Sequence, residues 1–448
     1  MTFYYRGENM RAVGCSNSKQ FKVGERIYLY AFVLLNSISG LKIADISVNA
    51  AIIISFLLYI TFKYLLEPHD RRILAKKHDA VLLFLSASLI SCLFSMAMTF
   101  SIPHISVVAS YLVNSVVYLI IYLLICNMHS PTRLLLSATY RGALIFAARV
   151  QAVWGIAQLV LLYGAGININ EILFVDILHS TTVRDWIMGF YTGNTWNLRI
   201  TGLNFENSMF ALVVCMGIAL ETNRIWKLFM ICVVVLSLSR TGWFMLVGYL
   251  LYWLYINRNK LKKIKKNKIA LSFLAFAFAL STGGLLYVKV PAVRAQILNI
   301  VVRATDSDAV HISGARHFLY YPYGLDIWLF RSNAIQMLFG YGMRCSGIAF
   351  SHQQDICNII GIGSYPNAWA VECDVIGLLL GGGIITFIAY YVALFKNFRI
   401  RASQYKGAIL MIFLGGITYH YHSISYVIFI IMMASYERDR KTNSCAFT

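Results

Sequence analysis

Charged residues are scarce in this chain, 13% of 448 positions, where a soluble domain carries about 25%. Acidic ones are scarcer still, 19 against 39 Lys and Arg. The shortage excludes an ordinary soluble globular protein. Also missing are a Walker-type glycine-rich loop, a His-Glu-x-x-His pair and a paired Asp-x-Asp at the end of an apolar run, so the sequence offers no cytoplasmic nucleotide site and no evident metal site. No repeat of roughly 20 to 50 residues recurs, and the two halves show no symmetry. The first 26 residues carry Arg6, Arg11, Lys19, Lys22 and Arg26 with no apolar stretch before them, which argues against a removable signal peptide.

What is abundant is apolar surface: 59% of the residues are hydrophobic and the mean hydropathy is +0.66. Apolar runs of about 20 residues separated by charged connectors read as an all-α polytopic membrane protein. On a soluble protein the net charge of +20 would suggest a nucleic-acid partner. Its placement indicates topology instead. The densest block, Arg258 to Lys268, puts seven cations in one short connector between two apolar runs, as expected for a cytoplasmic loop.

Spans are predicted at Ile27 to Leu41, Ile46 to Leu66, Ala80 to Ser101, His104 to Cys126, Ala143 to Ala165, Leu203 to Glu221, Ile269 to Val288 and Trp369 to Phe395. Two longer runs carry basic residues at both ends, which a single crossing cannot reconcile with positive-inside placement. Leu228 to Ile256 is therefore folded at Ser239-Arg240-Thr241-Gly242, and Gly407 to Tyr436 at Tyr419-His-Tyr-His-Ser423. This predicts about twelve transmembrane helices with both termini cytoplasmic. The chain divides into an N-terminal five-helix region (1–165), a first outer segment (166–204), a central region with the short hairpin 228–256 (205–288), a large outer loop (289–368) and a C-terminal region (369–448). Aromatics in the large loop, as in His317-Phe-Leu-Tyr-Tyr-Pro-Tyr, predict short helices lying over the membrane mouth. Nine cysteines form no framework; only Cys345 and Cys357 share a hydrophilic segment and could pair outside the cytoplasm. With His352 they offer only a weak zinc pattern.

Arginines carry the chemical signal. Arg240 at a hairpin tip and Arg199 before the sixth span are both placed at the outer face, and Arg149 sits inside the fifth span. An intramembrane arginine is costly unless paired or used. Arg149 is either half of an ion pair with a buried carboxylate such as Asp374 or a substrate ligand. Guanidinium groups fork onto phosphate oxygens, so several around one outward cavity suit a pyrophosphate. Arg331 and Arg344 in the large loop extend the candidate set.

Four segments then occur in order: Arg199-Ile-Thr-Gly202 before one span, Ser239-Arg240-Thr241-Gly242 between two short ones, Phe339-Gly-Tyr-Gly342 in a long loop, and Asn367 with Glu372 and Asp374 before the Gly-rich run at Gly377. Together they resemble the O-antigen polymerase and ligase family, over roughly Arg199 to Phe395. The resemblance implies a glycosyltransferase of the bacterial inner membrane that uses neither metal nor cofactor. Its partners would be an oligosaccharide on undecaprenyl pyrophosphate, the lipid bilayer and a chain-length regulator protein. The polymerase branch moves the growing glycan onto the next lipid-linked unit; the ligase branch moves finished polymer onto a lipid core. A flippase of lipid-linked oligosaccharide is the rival outside the family. Arg199 and Arg240 would hold the pyrophosphate, and Arg331 stands before Gly342 at the spacing of polymerase outer loops. Where the family has His-Asn this chain has Pro366-Asn367, so the resemblance assigns no catalytic histidine. The proton acceptor is sought among His352, Asp374 and Glu372, with His311, His317, His420 and His422 as further histidines of the outer face.

Overall fold

A computed structural model of the chain describes residues 21–38, 42–43, 46–66, 79–98, 102–179, 200–204, 206–237, 239–261, 315–359, 371, 373–400 and 403–437. Arg199, Glu372, Pro366-Asn367, His311 and the predicted span Ile269 to Val288 lie outside them. Apart from one two-residue antiparallel pairing, β1 (Lys42–Ile43) with β2 (Ile46–Ser47), the described elements are helical. The N-terminal group is α1 (Val23–Asn36), α2 (Val48–Leu66), α3 (Ala80–Met98), α4 (Ile102–Asn127) and α5 (Ser130–Ala165). After α6 (Ile169–Glu171), which runs on as π-helix Ile172–Ile177, come α7 (Asn207–Leu220), α8 (Arg224–Leu236) and α9 (Arg240–Leu261). The large loop contributes α10 (Ala315–Asp326), continued as π-helix Ile327–Arg331, then α11 (Ala334–Phe339), α12 (Ser346–Ser351) and α13 (Gln354–Ile359). The chain closes with α14 (Asp374–Arg399), α15 (Lys406–Gly416) and α16 (Ser425–Tyr436).

Five described helices are long and apolar enough to cross a membrane, within α2, α3, α4, α5 and α14. α7, α15 and α16 are apolar but shorter. Leu58, Phe62 and Leu65 of α2 are each about two-thirds exposed, an outward apolar face that suits lipid and not water. Inside, α7 and α16 are buried almost throughout, as expected for helices apolar all round.

Each of the two overlong apolar runs is broken into two helices. α8 ends at Leu236 and α9 starts at Arg240, and α15 and α16 are separated by 417–424. α5 differs from expectation: it starts at Ser130, with Pro131 in its first turn, and ends at Gly166 in a left-handed cap. Its first 13 residues include Arg133 and Arg141; charge lowers hydropathy without breaking a helix, so the apolar run began later than the helix. At 36 residues it is about 54 Å long and outruns a bilayer core of about 30 Å.

Because the helices alternate in direction, their ends form two clusters. At one end Asn36 closes α1 and accepts from Ser425 at the start of α16, and Tyr111 of α4 donates to the Ser423 carbonyl. At the other, Lys63 at the end of α2 pairs with Glu25 of α1 at 2.8 Å, and Tyr405 before α15 donates to the Ser137 carbonyl of α5 at 2.6 Å.

Candidate functional site

The turn at 417–424 is the hub of the first cluster: besides Tyr111 of α4, four further elements fasten onto it. Asp374 opens α14, is 1% exposed, and accepts from the backbone N–H groups of Tyr421 (2.6 Å) and His422 (2.8 Å). Its Oδ1 also meets His422 Nδ1 at 2.7 Å, and its Oδ2 accepts from Tyr390 at 3.2 Å. A carboxylate in a first helical turn is favoured by the helix dipole. From α7, Glu206 accepts the Tyr419 hydroxyl and the Ser208 carbonyl accepts the Tyr421 hydroxyl at 2.9 Å. From the α8–α9 turn, Thr241 accepts from Thr418 at 3.0 Å. From above, Tyr321 of α10 donates to the Ile417 carbonyl at 2.6 Å, so this loop helix lies over the bundle end.

The motif segments gather here. Arg240 is the first residue of α9, exposed beside Thr241. Arg199 lies outside the described residues, but Ile200 to Leu203 run just before α7 at the same end. Gln158 of α5 accepts from the Thr201 and Gly202 N–H groups (3.1 and 3.2 Å), and Gln151 from Leu203 (2.8 Å). Gly202 has φ +60, and a Cβ there would press on the Gln151 amide and the Phe210 ring. That crowding is why glycine follows Thr201 in the Arg-x-Thr-Gly segment.

Phe339-Gly-Tyr-Gly342 is a backbone lock. Tyr341 and Gly342 donate to the carbonyls of Leu380 and Gly381 at 2.7 and 2.8 Å, where α14 kinks at Gly383. Ser91 and Ser95 of α3 hold the Phe339 and Tyr341 carbonyls, each at 2.5 Å. The tight turn closed by Cys345 N–H to Gly342 O, 2.8 Å, buries Met343 and Cys345 and turns Arg344 out to solvent. Arg344 has φ +65, a strained backbone for any residue but glycine. Among the described residues no hydrogen bond or ion pair holds it; its charge acts on His420, Tyr111 and Tyr118.

The other candidates fall elsewhere. Arg149 pairs with Glu221, at 2.8 Å from Nε and 2.7 Å from a terminal nitrogen, and its guanidinium lies 4.9 Å over the Trp226 ring. The carboxylate partner is thus Glu221 and not Asp374. Arg149 lies mid-way along α5 but stands against the end of α7 remote from the hub, and joins no arginine cluster. Arg331 is held by Asp326 (2.8 Å), Asp355 (2.8 Å) and Gln353 (2.7 Å). This pairing keeps the Asp355 carboxyl below the usual carboxylate range. His352 caps α12 by its backbone, and its side chain is exposed. Cys345 and Cys357 are buried, with no disulfide between them. Among the described residues no three His, Cys, Asp or Glu side chains gather to hold a metal ion, so Cys345, His352 and Cys357 do not converge.

Sequence reasoning passed lightly over the turn's own histidines. His422 is 1% exposed, with Nε2 buried and unpartnered, against a void of about 10 Å³ that Ser88, Tyr111 and Ser115 also line. His420 is partly exposed and stacks on Tyr419 at 4.4 Å. Their signal was the alternation Tyr-His-Tyr-His at a predicted hairpin tip. A larger cavity, about 210 Å³, lies at the opposite end between Ala219, Tyr249, Trp253 and Gly407. Arg240 and Arg344 are on the surface of the first end and do not line that cavity.

No protein-family model and no curated protein matches the chain.

Proposed function

We propose that the protein is a polymerase of lipid-linked oligosaccharide repeat units, making O-antigen or a similar surface polysaccharide. It would span the inner membrane about twelve times, with both termini cytoplasmic and the hub facing the periplasm. The observation that carries this reading is the meeting of segments far apart in the chain, Thr201-Gly202, Arg240-Thr241, Gly342 to Arg344 and Asp374, at one end of one apolar bundle. The other end holds Arg224, Lys227, Arg258, Arg399 and Lys406 next to helix termini, as positive-inside placement requires of a cytoplasmic face.

Arg344 is the best-placed group for the pyrophosphate: exposed, without an ionic partner among the described residues, and set on a strained turn. Arg240 and Arg199 complete the grip from neighbouring segments. Fixed guanidinium groups near a lipid surface stabilise the charge that develops on the departing pyrophosphate, an effect worth about 10²-fold or more in rate per group. The paired Arg149 and Arg331 would serve the fold and the outer loop instead. The glycan chain would lie across the surface under α10 to α13.

Incubating the purified protein with its undecaprenyl-pyrophosphate repeat unit is expected to yield a ladder of lengthened lipid-linked products. Transfer to a lipid core without a ladder would indicate a ligase. Passage of the intact unit across vesicles without elongation would indicate a flippase.

A further inference from the structure

Glycosyl transfer needs a group to accept the proton of the attacking hydroxyl, and neither the motif resemblance nor Asp374 provides one. We propose that His420 is that group, a catalytic residue at the tip of the α15–α16 hairpin, held in place by the buried Asp374–His422 pair. The assignment rests on the polymerase reading.

Elimination among the described residues leads to it. The Asp374 carboxylate is sealed and its oxygens are already engaged by four donors. His422 is as deeply buried, and the void beside it holds at most about one water, too small for a sugar. Glu206 is occupied by the Tyr419 hydroxyl. His352 is exposed, but no contact orients its side chain. Of these groups, His420 is both reachable and oriented. Its Nδ1 is sealed without a partner, which leaves Nε2 as the nitrogen that can meet a ligand. Its ring lies on Tyr419, itself tied to α7, and the residues on either side are pinned: Thr418 to the α8–α9 turn, Tyr421 and His422 to Asp374. Such locking of a reactive group by fixed neighbours is what a catalytic geometry needs.

In the step, the bond from the donor sugar C1 to the acceptor oxygen forms as the C1–O bond to pyrophosphate breaks. The electron pair leaves with undecaprenyl pyrophosphate, and the hydroxyl proton passes to His420 Nε2 and then to water. Charge couples the two halves of the site. Burial first, then the cation of Arg344 and the neighbouring His422, push the His420 imidazole down to about 3, a poor base in the empty protein. The other charged groups of the hub are Asp374 behind His422, Glu206 behind Tyr419 and Arg240 beside Thr241. A pyrophosphate seated on Arg344 offsets that cation and raises the His420 imidazole from this low value, while burial still holds it down, so proton transfer is faster with donor bound.

The test is elongation by purified His420→Gln, His352→Gln and wild-type protein on the undecaprenyl-pyrophosphate repeat unit. His420→Gln is expected to lower kcat at least 100-fold while KM for the lipid-linked donor stays within about threefold. In the wild type, kcat should fall in acid at a higher pH than kcat/KM does. A His420→Gln protein within tenfold of wild type, or a loss confined to His352→Gln, overturns the assignment and leaves the polymerase reading intact. Should His420→Gln fail to fold, the wild-type profiles decide: coincident acid limbs of kcat and kcat/KM overturn it. No ladder from the wild type overturns the polymerase reading itself, and the assignment with it.

Discussion

Arg149 and Arg331 differ from Arg344 in their partners. Both are matched to carboxylates, whereas Arg344 is held on a strained turn with no such match. Only Asp326, five positions from Arg331, is a local partner; Glu221 and Asp355 lie 72 and 24 positions away. Glu221 is nearly fully buried and also accepts from the Thr222 and Asn223 N–H groups at 2.9 and 2.8 Å. Arg149→Ala strands that carboxylate and should cost about 3 kcal/mol, read as a lower unfolding temperature in detergent, with elongation per folded molecule unchanged. At the loop, the depressed Asp355 carboxyl gives stability that is complete above its unfolded value, about 3.9, and is lost as pH falls through the lower folded one. Hydrogen exchange of residues 327–355 is therefore expected to be flat from pH 5 to 8 after correction for intrinsic rates, and to rise only in stronger acid.

α14 carries the most legible and the least legible features together. Its acidic start and its Gly-rich run were plain in the sequence, and the breaks in the two overlong apolar stretches were expected from basic residues flanking both ends of each. The true start of α5 was not legible, since helix formation tolerates the polar residues that lower hydropathy. Nor could the sequence show that Gly340 and Gly383 meet. Both have backbone angles open essentially to glycine alone (φ +79, ψ −175 and φ +69, ψ +176), and a Cβ on either would overlap the other segment's backbone. Gly340→Ala should destabilise by about 3 kcal/mol, free the loop from the α14 kink and displace Arg344. Protease susceptibility of the 334–345 segment would rise, whereas an unchanged digestion pattern would show that the lock does not set Arg344's position.

At the scale of the molecule, an apolar shell surrounds a core in which polar contacts cluster at the two ends of the bundle. The hub joins elements separated by more than 200 positions, as in Tyr419 with Glu206, and only folding brings them together. Alternating helix direction puts Arg240 and the Thr201-Gly202 segment at one end of the bundle, whereas the packing around His420 and His422 is something hydropathy cannot report. Elongation of an undecaprenyl-pyrophosphate repeat unit by purified wild-type, Arg344→Gln and Arg240→Gln proteins tests the central idea most directly. A wild-type ladder that shrinks at least 100-fold in Arg344→Gln and Arg240→Gln, with both variants still folded, is the expected result; a full ladder from either variant would contradict it.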